Sequence, residues 1–231
     1  VLSDCDGVAH LDLSEILDYH EEKNADITMV THYEEVEKTS NYMVIGADKE
    51  GRVNEVRVNP RIRGKAKADV YINVMVFNRQ FLLNLVEDSV AHGDTSFEND
   101  IIAKQLNSLK IYRYDFRGYY AGIHSMTTYY KHNMELLDKA VRDELFGARD
   151  IYTKVRDSAP SKYGEEATVR NSLISDGCEI EGTVENSILF RGVKVARGAV
   201  IKNSIVMQDN IIGANASLDC VITDKNVVIS D

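Results

Sequence analysis

Two aspartates near the N-terminus could carry chemistry. Asp4 and Asp6 flank Cys5 and directly follow Leu2-Ser3, a segment that reads as the end of a buried strand. Ligands of α/β sheets bind at the carboxyl ends of strands, where carboxylates commonly hold Mg²⁺. A loop aspartate can also cap a turn. Because an aspartate at this place is a weak signal without a partner carboxylate from another element, the residues alone favour the capping interpretation.

The other polar motifs do not indicate a metal site, a nucleophilic triad or a phosphate-binding loop. The six histidines show no metal-ligand spacing with cysteine or carboxylate. His124 and Ser125 could join Asp115 or Asp6 in a nucleophilic triad, but no serine lies in a nucleophile-elbow pattern. Neither common glycine-rich phosphate loop occurs in these residues. The sequence therefore contains no recognisable cradle for a triphosphate.

Composition excludes several classes of function. The chain has 231 residues, 27 Lys plus Arg and 37 Asp plus Glu, which gives a formal net charge of -10. No basic block is dense enough to follow a phosphate backbone, so we expect no nucleic-acid binding. No apolar run is long enough to cross a bilayer. Three scattered cysteines do not form a disulfide framework, which predicts a cytoplasmic protein without membrane association.

The first part of the chain alternates between helix and strand patterns. Asp12, with Glu15 three residues later, predicts the start of a helix that runs through Glu22. The charged tip Asp48-Lys49-Glu50-Gly51 predicts a hairpin. Apolar residues at helical spacing predict one long amphipathic helix over 125–146. Further predicted elements are strands over 25–31, 68–77 and 111–115 and a helix over 79–86.

The last part of the chain repeats itself. Aliphatic or small residues fall six apart, as at Val193, Ala199 and Ile205, which predicts a parallel β-helix with three faces to a turn. Glycines, and asparagines such as Asn210 and Asn215, suit its corners. A β-sandwich would require spacing nearer about ten residues. Four segments recur every 15 to 17 residues: Asn171–Ile174, Asn186–Leu189, Asn203–Val206 and Asp219–Ile222.

These patterns predict the organisation of the chain. We expect a partial α/β domain over residues 1–147, a linker over 148–166 and the β-helix over 167–231. The linker contains Pro160 and few apolar residues. Val1-Leu2-Ser3 has no turn or cap before it, and the last residues fall inside another repeat. We therefore expect a chain that is truncated at both ends.

The whole chain resembles glucose-1-phosphate adenylyltransferase, also called ADP-glucose pyrophosphorylase. The resemblance rests on the helix-and-strand start, the hairpin, the segment Phe97–Ile102, the turn Gly118-Tyr119-Tyr120 before a helix, and above all the repeats. It implies the C-terminal part of a nucleotidyltransferase-type mixed sheet domain, without the N-terminal nucleotide-binding segment, followed by a left-handed parallel β-helix. Such enzymes join glucose 1-phosphate to ATP and release pyrophosphate, with Mg²⁺ held by carboxylates.

Residue by residue, the resemblance implies an incomplete catalytic site. Asp6 matches the first metal-binding aspartate, and Asp100 matches an aspartate near the sugar site. Asn59 stands where the family has the lysine that binds the sugar phosphate. Gly122 stands where the family has the second metal aspartate, and Ser125 lies in the same motif. We therefore expect Asn59, Asp100 and Ser125 to mark a vestigial sugar-phosphate site, and we expect doubtful Mg²⁺ binding.

This pattern is similar to the GlgD-type regulatory subunit. We expect a weakly active or inactive subunit in glycogen biosynthesis that pairs with a catalytic adenylyltransferase subunit in a hetero-oligomer such as a tetramer, or that self-associates. The alternative is an active sugar-phosphate nucleotidyltransferase that uses Asp6 and Asp100. A β-helix acyltransferase is disfavoured, because such enzymes use a histidine between coils and residues 167–231 contain none.

Overall fold

The computed structural model describes residues 1–36, 42–61, 64, 66–94, 96–147, 151–154 and 156–230. They form two compact units, Val1–Gly122 and Ile123–Asp231. The first unit contains β1 (Leu2–Ser3), β2 (Gly7–Ala9), α1 (Leu13–Glu22), β3 (Ile27–Val36), β4 (Met43–Ala47), β5 (Val53–Val58), β6 (Ala66–Phe77), α2 (Arg79–His92), a π-helical segment (Phe97–Ala103), β7 (Ile111–Phe116) and β8 (Tyr120–Gly122).

Strand β3 is the centre of the mixed sheet in the first unit. The strand order is β5-β4-β6-β3-β7, and β1 also pairs with β6. β3 pairs antiparallel with β6 and parallel with β7. One face of the sheet packs in an apolar cluster that contains Met29, Ile102 and Ile111. The other face packs in a second cluster with Ile16 of α1 and Val30. Packing on both faces explains why the first five residues of β3, Ile27 to Thr31, are all buried and do not alternate with exposed residues.

The predicted hairpin forms, and its tip is fixed to the sheet. β4 and β5 pair antiparallel on either side of the turn. Gly51 adopts a φ of 86°, and its carbonyl accepts a hydrogen bond from the amide of Arg113 at 2.8 Å. A Cβ atom at Gly51 would lie 2.5 Å from the Tyr19 hydroxyl. Glycine is therefore required both by the left-handed conformation and by the close approach of α1.

Two predicted helices differ from the observed ones. α2 extends beyond residue 86 to His92, where Gly93 in a left-handed conformation ends it. The single helix predicted over 125–146 is wrong: it is two helices, α3 (Met126–Glu135) and α4 (Lys139–Phe146). The break has a local cause, because the Asp138 side chain accepts a hydrogen bond from the amide of Ala140 and starts a new helix.

The repeats wind into a parallel β-helix with three sheets. Successive strands of each sheet are parallel neighbours, one turn apart. The core contains Ile180, Val195 and Ile201, which are 1% exposed or less. Its strands are β9 (Lys162–Tyr163), β10 (Thr168–Arg170), β11 (Leu173–Ile174), β12 (Glu179–Ile180), β13 (Thr183–Glu185), β14 (Ile188–Leu189), β15 (Lys194–Val195), β16 (Val200–Lys202), β17 (Ile205–Val206), β18 (Ile211–Ile212), β19 (Ser217–Asp219), β20 (Ile222–Thr223) and β21 (Val228–Ile229).

The first strand of the β-helix lies inside the segment that the sequence suggests as a linker. β9 pairs in parallel with β12, so that coil formation begins at Lys162. One predicted left-handed corner falls one residue earlier, at Asp209 with a φ of 59°. Asn210 is fully buried, and its side chain contacts Thr223 Oγ1 and the amide of Val227. Asn215 does occupy a left-handed corner, with a φ of 60°.

The Asn-Ser pairs of the first three repeats form one corner of the β-helix. Asn171, Asn186 and Asn203 adopt φ values of 41°, 47° and 48°. Their side chains form a ladder, in which each amide donates to the side chain one coil further along. The hydroxyl of each following serine, as in Ser187, accepts a hydrogen bond from a backbone amide of the next coil. These ladders satisfy polar groups that the coil geometry would otherwise leave buried and unpaired.

The two apolar residues that follow each Asn-Ser pair are buried for different reasons. Leu189 and Val206 belong to the core of the β-helix. Ile188 and Ile205 precede them and therefore point to the opposite face of the sheet. They are nevertheless 7% and 0% exposed. Beside them, the Tyr130 hydroxyl of α3 donates to the Asn203 carbonyl at 2.6 Å, which anchors α3 along this face.

Replacing Asn186 with alanine should destabilise the β-helix. The change removes two ladder hydrogen bonds and forces a residue with a Cβ and no local hydrogen bond into the left-handed region, at a combined cost of about 3 kcal/mol. Asn186→Gly removes the ladder but tolerates the conformation, so its cost should be smaller. Urea unfolding measures both; equal stability of wild type and Asn186→Ala would contradict the role of the ladder.

Candidate functional site

A short antiparallel pair brings the two predicted metal positions together. β2 pairs with β8, and Gly7 and Gly122 are direct Cα partners. Asp6 immediately precedes Gly7, so it lies next to Gly122. The pair is tightly packed, because a Cβ at Gly7 would meet the Tyr120 ring at 3.2 Å. The structure therefore places Asp6 beside a position that has no side chain.

Tyr120 is the most strongly perturbed group at this place. Burial, followed by the nearby carboxylates of Glu34, Asp6 and Asp4, raises the pKa of Tyr120 to about 12. Its ring centroid lies 5.8 Å from that of His32. Desolvation and negative neighbours both disfavour the phenolate. Tyr120 is consequently a neutral hydroxyl at physiological pH.

The residues here do not fit a two-carboxylate magnesium site. Such a site needs two carboxylates at the metal, and Gly122 cannot supply one. Over the described part of the chain, no three His, Cys, Asp or Glu side chains are grouped so that they could hold a metal ion. Gly122 therefore leaves the position across the strand pair from Asp6 without a metal ligand.

Asn59 lies just after β5 in an unusual conformation. It is exposed, has a φ of 49°, and its amide donates to the Tyr42 carbonyl at 2.8 Å. Tyr42 is among the residues that raise the pKa of Tyr120. The residue to which Asn59 is hydrogen-bonded is thus electrostatically coupled to Tyr120 of β8. An asparagine there has no positive charge with which to hold a phosphate.

Asp100 lies on the π-helical segment, which packs against β5. Val58 and Phe97 contact the same apolar cluster, so the segments that carry Asn59 and Asp100 are neighbours. The Asp100 carboxylate is already engaged. It accepts a hydrogen bond from the Ser96 amide at 3.0 Å, and it lies 2.8 Å from Lys104 Nζ. In this structure Asp100 thus acts as a local cap and ion-pair partner.

Ser125 belongs to the second compact unit and caps a helix. Its hydroxyl accepts a hydrogen bond from the Thr128 amide at 3.1 Å, and the Thr128 hydroxyl accepts one from the Ser125 amide at 3.0 Å. This reciprocal arrangement is a capping box at the start of α3. The structure gives Ser125 this capping role in the second unit, whereas Asp6, Asn59, Asp100 and Gly122 all lie in the first.

Sequence reasoning missed a charged cluster on the sheet. Arg113 of β7 forms ion pairs with Asp69 of β6 and with Asp115. Burial raises the pKa of Asp69, although the Arg113 charge beside it acts in the opposite direction. In the sequence, the one indication of this cluster is that three charged residues lie inside strands rich in apolar and aromatic residues. Their association could not be read from the sequence, because it depends on the pairing of β3 with both β6 and β7.

Comparison with known proteins agrees with this architecture. The profile of the nucleotidyl transferase family matches residues 1–139, and that of the GlmU-like C-terminal hexapeptide matches residues 157–231. The chain belongs to the nucleotidyl transferase family. The predicted fold class, a nucleotidyltransferase-type mixed sheet domain followed by a left-handed hexapeptide β-helix, is confirmed.

Relatives of this nucleotidyl transferase chain also confirm the predicted resemblance. A glucose-1-phosphate adenylyltransferase of Fervidobacterium nodosum is 31% identical over 229 residues, which cover 98% of this chain and 55% of that protein. The glycogen biosynthesis protein GlgD of Bacillus subtilis is 39% identical over 159 residues, which cover 68% of this chain and 46% of that protein. The chain thus spans about half the length of these curated relatives.

In the described part of this nucleotidyl transferase chain, no helix has the length and apolar character that a membrane span requires.

The environment of Tyr120 predicts a distinct pH dependence. Its pKa is about 12 in the folded chain against an ordinary value of 10.0, so its contribution to stability is complete below pH 10 and is lost as the pH rises towards 12. Tyr120→Phe should remove that loss, which denaturant unfolding across this pH range measures. Glu34→Gln should lower the pKa of Tyr120, because it removes a nearby negative charge. A pH titration of the NMR signals of labelled tyrosines measures this pKa. A Tyr120 signal that titrates near pH 10 would contradict the assignment.

Proposed function

We propose that this chain is part of a regulatory subunit of glucose-1-phosphate adenylyltransferase, which acts in glycogen biosynthesis and has little or no catalytic activity alone. The observation that carries the proposal is the pairing of Gly7 with Gly122, which sets Asp6 beside a residue without a side chain. Membership of the nucleotidyl transferase family and the similarity to both adenylyltransferases and GlgD support the choice of reaction and pathway.

The absence of a phosphate-binding cation at Asn59 and of a metal-binding carboxylate at Gly122 matters because the reacting phosphates are negatively charged. Transfer of a nucleotidyl group to a sugar phosphate brings several negative oxygens together, and catalysis depends on cations that neutralise them. Loss of one such stabilising group typically costs about 3 kcal/mol, or roughly a hundredfold in rate. Asn59 and Gly122 each lack a group of this kind. Two losses of this size would leave at most weak activity.

The regulatory role requires a partner, and the β-helix supports this part of the proposal. Residues 167–231 contain no histidine, so the β-helix lacks the residue that acyl transfer between coils would use. Its regular, rigid coils suit assembly instead. We propose a cytoplasmic hetero-oligomer, such as a tetramer, with a catalytic adenylyltransferase subunit. The alternative, an active sugar-phosphate nucleotidyltransferase, has less support because the Asp100 carboxylate is bound to Ser96 and Lys104.

The complete protein that contains this chain should release almost no pyrophosphate when it is incubated alone with ATP, glucose 1-phosphate and magnesium. Mixed with a catalytic adenylyltransferase subunit, it should change the rate of that subunit or its response to effectors. A coupled pyrophosphate assay measures both quantities. Robust turnover by the isolated protein would contradict the proposal.

Restoring the missing groups should restore sugar-phosphate binding. Asn59→Lys combined with Gly122→Asp supplies a cation and a second carboxylate, and we expect binding of glucose 1-phosphate with magnesium to tighten by about tenfold or more. Calorimetry measures the affinity, and thermal unfolding checks that the variant is folded. Asn54→Lys, a change at an exposed position on β5, is the matched control. A folded double variant without any gain would show that these positions do not line a sugar-phosphate site.

A further inference from the structure

A cleft in the first unit has no role in the proposed function, although its lining residue His32 packs against Tyr120 of β8. It has a volume of about 480 Å³, which is within the range of small-molecule sites. It opens where β7 ends at Phe116 while β3 continues to Val36. Its lining residues come from three adjacent strands and the residue after β7: Thr31, His32 and Tyr33 on β3, Asp69 on β6, and Asp115, Phe116 and Arg117.

The polar floor of the cleft is held rigid by ion pairs. Arg113 Nε lies 2.7 Å from one oxygen of Asp115, and Arg113 Nη2 donates to the other oxygen at 3.2 Å. Nη1 of the same guanidinium donates to Asp69. Thr31, which is 1% exposed, has its hydroxyl 3.4 Å from Asp115. One guanidinium group thus donates to both carboxylates, Nη1 to Asp69 and Nη2 to Asp115, and holds them beside each other.

The charges of the cleft balance. Asp69 and Asp115 carry two negative charges, and Arg113 and Arg117 carry two positive charges. Arg117 is exposed and has no carboxylate partner among the residues that the structure describes. A free phosphate would meet two carboxylates here, and a divalent cation would meet two guanidinium groups. The cleft therefore disfavours both kinds of small ion.

The remaining groups offer both hydrogen-bond donors and acceptors. His32 Nδ1 lies 3.2 Å from the Phe116 carbonyl oxygen, which can only accept, so Nδ1 donates to it. The carboxylates accept, Arg117 donates, and the exposed Tyr33 hydroxyl can do either. Tyr33 is 61% exposed and Phe116 is partly buried, so two aromatic rings border these polar groups.

We propose that this cleft binds a neutral saccharide. Sugar hydroxyls donate and accept at once and so match fixed carboxylates beside an arginine, and the apolar C–H face of a sugar ring packs on aromatic side chains. In a subunit without catalytic activity, such a site would hold a carbohydrate without transforming it. The choice of glucose-based probes below rests on the proposed function, whereas the ligand class rests on the cleft alone.

Saturation-transfer difference NMR on the chain tests the proposal without nucleotide, so that its result does not depend on the activity of the protein. Glucose, maltotriose and galactose are each titrated, and inorganic phosphate and magnesium chloride are added as competitors. We expect at least one neutral saccharide to bind with a dissociation constant of about 1 mM or tighter, and neither ion to displace it. Absence of saccharide binding, or displacement by phosphate, overturns the proposal.

Matched variants locate the binding. Tyr33→Ala removes an exposed ring from the cleft, and Tyr152→Ala removes one that is 92% exposed elsewhere. Asp115→Asn removes a charged acceptor, and Asp143→Asn does the same at an exposed ion pair on α4. We expect about tenfold weaker binding for each cleft variant and no change for its control. Unchanged binding in folded Tyr33→Ala would place the saccharide elsewhere and overturn the assignment.

Discussion

The register of strand β3 is the constraint on which the first unit depends. β3 pairs along its length with β6 and over six residues with β7, and apolar clusters cover both of its faces. A slip of one residue would turn every side chain to the opposite face. The same register opposes Thr31 to Asp115 and Tyr33 to Asp69, which assembles the charged cleft. It also places His32 against Tyr120, next to the β2–β8 pair.

Most of the fold could be predicted from the sequence, because its signals are local or periodic. The hairpin was visible in Asp48–Gly51, and the β-helix in the recurring Asn-Ser pairs. The break between α3 and α4 was missed because Asp138 looks like any charged residue on an amphipathic face until its side chain caps Ala140. The burial of Asn210 was missed for a related reason: its partners, Thr223 and Val227, come from the next coil.

The candidate site was less predictable than the fold. Only resemblance to a family connected Asp6 with Gly122, because the residues lie far apart in the chain and meet only through the pairing of Gly7 with Gly122. The resemblance could not show that Asp100 is engaged by Ser96 and Lys104, since those contacts depend on local folding. The cleft escaped notice because its charged residues come from separate strands. Both sites are assembled by the pairing of strands that are distant in the sequence, so their residues could not be grouped from the sequence alone.

Gly122 supplies no carboxylate across the β2–β8 pair from Asp6, so a metal ion at this pair would lack a ligand from that position. Titration of paramagnetic Mn²⁺ into the chain, followed by the amide NMR signals of Gly7 and Val8, tests it most directly. We expect no saturable broadening of these signals at metal concentrations up to about 1 mM, the weak end of specific binding. Saturable broadening centred on Asp6 at lower concentrations would contradict it.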